Sequence, residues 1–212
     1  MKIVEIIPIK SKTRRFKKKN FIKIKKNKPL YKFFLEKVLK CNFDQIFVDT
    51  DSIEIINFCN KRKINIIKRK KSLAQDNANG NDLLNYHAKI IKSDLYFQLF
   101  ITAPLLSVET INKCIYLLKM KKKFDSIFTC HKIFSWFWFN DRPINYKPKI
   151  LPRSQDAKPI VMETTGLYGI RKKTLKKHKC RIGQKPYFFE VSKKESLDLD
   201  TKEDFKILKT YL

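Results

Sequence analysis

The stretch Lys2-Ile3-Val4-Glu5-Ile6-Ile7-Pro8-Ile9 decides the fold. It is a short apolar run of β type that ends at a proline and opens into a polar, basic loop over residues 10–20, so it reads as a strand feeding a loop. After Pro29, the apolar residues Leu30, Phe33, Phe34, Val38 and Leu39 recur at helical spacing, and residues 45–48 make a second short strand. Strand, helix, strand is a βαβ unit, and the alternation continues outward from it. Asp51 or Ser52 can cap a helix over 53–59. Residues 64–67 read as a strand, 82–91 as a helix, 94–101 as a strand, 107–118 as a helix capped by Ser107, and 125–130 as a strand. Such alternation predicts an α/β fold, a mostly parallel, doubly wound sheet flanked by helices. The pattern breaks after His131. An aromatic cluster over 134–139 and a proline-bearing stretch over 143–152 read as an inserted arm spanning residues 132–152. Regularity returns with strands over 165–170 and 187–191 and a closing helix over 202–212. We find no internal repeat, and residues 1–212 are expected to form one domain.

Composition narrows the classes. The formal charge of +28 is the most conspicuous property, and taken alone it suggests a polyanion partner. Its distribution argues against nucleic acid: only eight of the 48 basic residues are arginine, and lysine is spread along the whole chain rather than gathered on one element with stacking aromatics. No stretch approaches the ~20 apolar residues of a membrane span, and residues 1–9 lack the layout of a signal peptide, so a cytoplasmic protein is expected. Cys41, Cys59, Cys114, Cys130 and Cys180 lack metal-site or redox spacing and read as reduced core thiols. His87, His131 and His178 are far apart and suggest neither a metal cluster nor a triad.

In open α/β sheets ligands bind beyond the carboxyl ends of the strands, where three polar places stand out. Lys10, Ser11, Lys12, Thr13, Arg14 and Arg15 through Lys19 and Asn20 form either a solvated basic loop or a cradle of amides and cations for a triphosphate. Leu197-Asp198-Leu199-Asp200-Thr201 puts two carboxylates on one face of an extended segment, roughly 6 to 7 Å apart, where they could share a divalent cation. Asp200 or Thr201 could equally cap the last helix. Asp49-Thr50-Asp51-Ser52 is a polar tetrad in which Asp51 either binds a nucleotide, shapes the loop or caps a helix.

Taken in order, these segments resemble one family, the nonulosonate (acylneuraminate) cytidylyltransferases. Ile6-Ile7-Pro8-Ile9-Lys10, Lys19-Asn20 and Asn27-Lys28-Pro29-Leu30 resemble its opening. Phe47 to Ser52, Arg69 with Leu73-Ala74-Gln75-Asp76, and Thr102-Ala103-Pro104-Leu105 resemble its middle motifs. Pro152 to Asp156, Gly166-Leu167-Tyr168, Arg181-Ile182-Gly183 and Glu195 to Phe205 follow its C-terminal order. The resemblance covers nearly the whole chain. It implies a Rossmann-like nucleotide-diphospho-sugar transferase fold, usually a homodimer with the arm exchanged between subunits. The implied reaction is attack by the anomeric hydroxyl of an acidic nine-carbon sugar on the α-phosphorus of CTP, with Mg2+, to activate a sugar for a surface glycan. It further implies Lys10, Ser11, Lys19, Asn20 and Arg69 as nucleotide-binding residues, Lys19, Asp198 and Asp200 as catalytic, Asp198 and Asp200 as metal ligands, and Arg153 and Gln155 as sugar-binding. The chain departs from the pattern with Lys10 in place of an arginine, no glycine around Arg14 and Arg15, Phe100 in place of a glutamine, and Leu106 in place of an arginine. A cytidylyltransferase acting on the eight-carbon acid KDO, an inactive scaffold of the family and a basic nucleic-acid-binding protein are the alternatives.

Overall fold

The computed structural model describes residues 1–13, 16–75 and 77–212; Arg14, Arg15 and Asp76 lie outside the described residues. In chain order the elements are β1 (Ile3–Ile9), α1 (Leu30–Val38), β2 (Gln45–Thr50), α2 (Ile53–Lys61), β3 (Asn65–Lys68), α3 (Gly80–Ile90), β4 (Leu95–Leu99), α4 (Val108–Met120), β5 (Ser126–Ile133), β6 (Trp138–Phe139), β7 (Arg142–Pro143), β8 (Ile160–Arg171), α5 (Lys172–His178), β9 (Pro186–Glu190) and α6 (Lys202–Thr210). The main sheet has the order β3-β2-β1-β4-β8-β5-β9. All its strands run parallel except β8, which pairs antiparallel with both β4 and β5. A sheet covered on both faces explains why β1 reads as an uninterrupted apolar run rather than an alternating one.

Alternation along β1 sends Ile3, Ile7 and Ile9 into the larger apolar layer, with α1, α2, α4 and α6, and Val4 and Ile6 into the smaller layer with Leu84 of α3 and Leu175 of α5. Glu5 shares the face of Ile3 and Ile7 and is buried completely among them. The helices start where hydroxyl and amide side chains accept their free N–H groups: Ser52 for α2, Asn79 for α3, Ser107 for α4 and Thr201 for α6. This settles two open choices. Ser52 caps α2, and Thr201 caps α6 in a reciprocal box with Asp204, so Asp51 and Asp200 keep their carboxylates for other partners.

β8 turns back on β5 through the inserted segment, in a long antiparallel register from Ser126 opposite Ile170 to Ile133 opposite Ile160. A crossover to a parallel strand usually carries an α-helix; residues 134–159 contain only a short 3-10 turn over Ser154–Asp156, and the strand returns antiparallel. The segment carries the small hairpin β6–β7, closed by Asn140 and Asp141 with φ of 46° and 59°, the pair of left-handed residues that a two-residue hairpin turn requires. Asn145 knits it together, donating to the Ser135 and Lys158 carbonyls. All five cysteines are free thiols. Cys41, Cys59, Cys114 and Cys130 are buried, and Cys180 is half-buried rather than in the core. Among the described residues no helix is long and apolar enough to cross a membrane.

Candidate functional site

β1 and β4 stay in register only as far as Ile6 and Gln98, whereas β1 and β2 stay paired to Ile9 and Thr50. The chain leaves β1 towards one edge of the sheet and leaves β4 towards the other, so the two strands part at a topological switch point. Pro8, without an N–H, stands on the parting strand. The Leu99 N–H turns to the side chain of Glu5, at 2.9 Å, and Glu5 Oε2 has no hydrogen-bond partner among the described residues. Burial pushes the Glu5 carboxyl well above its ordinary range, against hydrogen bonds that favour its charge.

Above this point opens a cleft of about 190 Å3, lined by Lys10, Thr13, Lys19, Asn20, Arg69, Gln75, Phe100 and Thr102, with apolar walls from Leu73, Leu83 and Ile101. A larger cavity of about 370 Å3 between α3 and α5 presents Lys89, Lys172, Lys176 and Lys179; neither lining includes a carboxylate, but the smaller cleft lies at the switch point and its Lys19 is bonded to Asp200. The described parts of the basic loop that borders it are held by hydrogen bonds. Asp51 accepts from the Ser11 amide at 2.6 Å and from its hydroxyl at 2.7 Å, and these bonds hold the Asp51 carboxyl below its ordinary range against the opposing effect of burial. Asn20 is buried, and its amide donates to the Lys10 carbonyl at 2.8 Å. Ser11 itself does not line the cleft; it anchors the loop that does.

The two ends of the chain meet here. Lys19 Nζ donates to Asp200 Oδ1 at 2.6 Å and to the Leu199 carbonyl at 3.0 Å, while the Leu199 amide donates to the Thr102 carbonyl, 2.7 Å away on the cleft rim. Asp198 and Asp200 are thereby fixed on either side of an anchored, fully buried Leu199. Asp198 Oδ1 is buried with no hydrogen-bond partner among the described residues, a state that a cation would relieve. No group of three His, Cys, Asp or Glu side chains able to hold a metal gathers among the described residues, so a cation here would draw its remaining ligands from water and phosphate, as Mg2+ does.

Beneath the cleft, Arg69 Nε donates to Asp49 Oδ1 at 3.0 Å and His87 Nε2 lies 2.8 Å from Asp49 Oδ2. Burial alone would raise the Asp49 carboxyl; the His87 hydrogen bond and the Arg69 charge together bring it below the ordinary range. Sequence reasoning singled out Arg69 but not this trio, because His87 lies on α3 with no local signal of a partner. Beyond Phe100, the Arg181 guanidinium stacks 3.6 Å from the centre of the Tyr168 ring and reaches Glu163 at 3.5 Å. Leu106, at the position of a family arginine, is buried in the core. Gln98 is also buried, donating to the Gly80 carbonyl rather than facing the cleft. Arg153 and Gln155 lie exposed on the segment that leaves the arm, and Arg153 pairs with Asp156 at 2.7 Å, so the structure brings Lys10, Lys19, Asn20 and Arg69 together at the cleft without them.

The sequence model of one family, described as cytidylyltransferase, matches residues 4–210. The pseudaminic acid cytidylyltransferase and UDP-2,4-diacetamido-2,4,6-trideoxy-beta-L-altropyranose hydrolase of Helicobacter pylori is 24% identical over 98% of this chain and 42% of its own length. An N-acylneuraminate cytidylyltransferase of Streptococcus agalactiae is 23% identical over 97% of this chain and 52% of its own. The chain thus spans about half the length of the curated relatives it matches. Among solved structures, CMP:2-keto-3-deoxy-manno-octonic acid synthetase complexed with CTP superposes with a TM-score of 0.73 at 16% identity, covering 100% of this chain and 98% of that one. The 2-C-methyl-D-erythritol 4-phosphate cytidylyltransferase of Francisella tularensis superposes with a TM-score of 0.69 at 17% identity, over 100% of both chains. With a switch-point cleft that joins a basic loop to paired carboxylates, and a family match over nearly its full length, the chain belongs to the cytidylyltransferase family.

Proposed function

We propose that this protein transfers CMP from CTP to the anomeric hydroxyl of a nonulosonic, sialic acid-like sugar, releasing pyrophosphate. The observation that carries the reading is the bond from Lys19 to Asp200, which closes the first loop and the last motif around one cleft. The names of the Helicobacter and Streptococcus relatives support the choice of sugar class.

In this reading the triphosphate lies against the loop over residues 10–20, where Lys10 and Lys19 offset its charge, Ser11 and Asn20 hold the loop's shape, and Arg69 contacts the nucleotide from the cleft floor. Phosphoryl chemistry of this kind is catalysed by positioning and charge stabilisation, and in this reading Lys19 stabilises negative charge as pyrophosphate departs. Asp198 and Asp200 would hold Mg2+, whose contribution is to neutralise the phosphate oxygens. Asp198 Oδ1, buried with no hydrogen-bond partner among the described residues, fits that role. Arg153 and Gln155 serve the sugar carboxylate only if they meet the cleft of a second subunit, so the sugar-binding assignment goes with a homodimer that exchanges its arms. A cytoplasmic location accords with five free thiols.

The test is pyrophosphate release from CTP and Mg2+ with sialic, legionaminic, pseudaminic and KDO-type acids. Release with a nine-carbon acid is expected, with release only from the KDO-type acid moving the substrate to eight carbons. Silence across the panel with CTP still bound would overturn the catalytic reading. In the same assay Lys19→Ala should lower kcat by about 100-fold or more.

A further inference from the structure

An ion network lies under the cleft that the chemistry above does not use directly. Asp49 is next to last in β2, and its side chain is 1% exposed. Each carboxylate oxygen has its own partner, Oδ1 the Arg69 Nε and Oδ2 the His87 Nε2. Arg69 Nη2 also donates to the Asp49 main-chain carbonyl at 3.1 Å, and the Arg69 amide donates to the Thr50 carbonyl. Two donors of one planar group bound to a single residue fix the plane of the guanidinium. Its Nη1 has no hydrogen bond among the described residues, although Arg69 lines the cleft.

Joining β2 to β3 does not require these charges. The register between the two strands runs unbroken from Phe47 opposite Asn65 to Thr50 opposite Lys68, with Val48 and its neighbour Ile66 in the larger apolar layer and Ile67 in the smaller one. Burying charged groups is costly even when they are paired, so a network that the sheet does not need, with one end at the cleft, calls for a role there. His87, fully buried on α3, is spent on Asp49 alone: its Nδ1 has no partner among the described residues.

We propose that Asp49 and His87 are positioning residues for Arg69, His87 holding the carboxylate plane and Asp49 holding the guanidinium so that Nη1 faces an anionic oxygen of the bound nucleoside triphosphate. This rests on the cytidylyltransferase reading of the cleft.

The experiment is calorimetric binding of CTP to the full chain and its variants. The parent binds, and Asp49→Asn and His87→Leu each weaken binding about tenfold, the scale of a hydrogen bond to a charged group. His87→Gln, which can present its amide near the position of Nε2, restores most of the affinity. In an Arg69→Ala background neither substitution has a further effect, because both act through Arg69. Arg69→Lys binds no better than Arg69→Ala, since an ammonium has no second donor in a fixed plane. Equal weakening with and without Arg69, or no weakening in the single variants, overturns the clamp. Should Asp49→Asn not fold, the His87 series decides alone, because it leaves the Asp49–Arg69 pair in place. A parent that does not bind CTP overturns the reading of the cleft and the clamp with it, whereas a parent that binds while the double variants are additive overturns the clamp alone.

Discussion

Glu5 is a carboxyl group placed where an apolar side chain would be expected, and among the described residues its hydrogen-bond partners are main-chain groups at the mouth of the β1–β4 split. In the folded chain it keeps its proton above the pH at which an exposed glutamate loses it, so the unfolded state binds fewer protons there. Stability therefore falls as pH rises from about 4.5, the ordinary value for glutamate, towards the raised folded value. Glu5→Gln accepts from Leu99 in the same way and carries no such linkage. The variant should melt with the parent near pH 4 and above it at pH 8, the gap widening with pH; parallel melting profiles would contradict the assignment. The sequence displays Glu5 openly, in the middle of an apolar run, yet nothing local says that the strands part beside it. Asp49 and His87 differ in the same way. Each is visible, but 38 residues separate them and only the packing of α3 under β2 brings their side chains within 2.8 Å.

Among elements, the strands and helices whose residues face a covered sheet were legible because the apolar period survives in them. α5 was not: five of its seven residues are Lys or His and only Leu175 is buried, so no period stands out. β8 begins at Ile160 rather than 165, since its first residues run along the arm with exposed Val161 and Met162 instead of lying in the core. Its central position between β4 and β5 depends on Gly169. A Cβ there would stand 2.5 Å from the Phe97 ring and 2.8 Å from Ile127, both on the neighbouring strands. Gly169→Ala should therefore cost about 1–3 kcal/mol. At roughly 2–4 °C per kcal/mol for a chain of this size, that is a drop visible in a thermal melt.

At the scale of the whole molecule, the apolar side chains of the arm stay uncovered among the described residues. Trp138 is 59% exposed, Phe139 66%, Ile150 73% and Leu151 61%, on a segment whose own bonds already fix its shape. Exposed apolar surface of this extent is what the proposed homodimer would cover. The proposed homodimer predicts that light scattering gives twice the 25.4 kDa chain mass, and that Trp138→Lys with Phe139→Lys gives the monomer. A parent that is monomeric at micromolar concentration would remove the route by which Arg153 and Gln155 reach a sugar. The net charge of +28 does not enter this interface argument; the lysines are spread over the surface, consistent with solubility rather than a single polyanion track.

What the sequence by itself determined was the alternation of strands and helices and the polar segments at the strand ends, because period, caps and strand-end polarity are local properties. Tertiary structure alone decided that β8 runs against its neighbours, that Lys19 bonds Asp200 across 181 residues, and that Asp49, Arg69 and His87 share one buried network. These depend on which strand lies beside which and how far the pairing runs, and a chain read one window at a time carries no record of either.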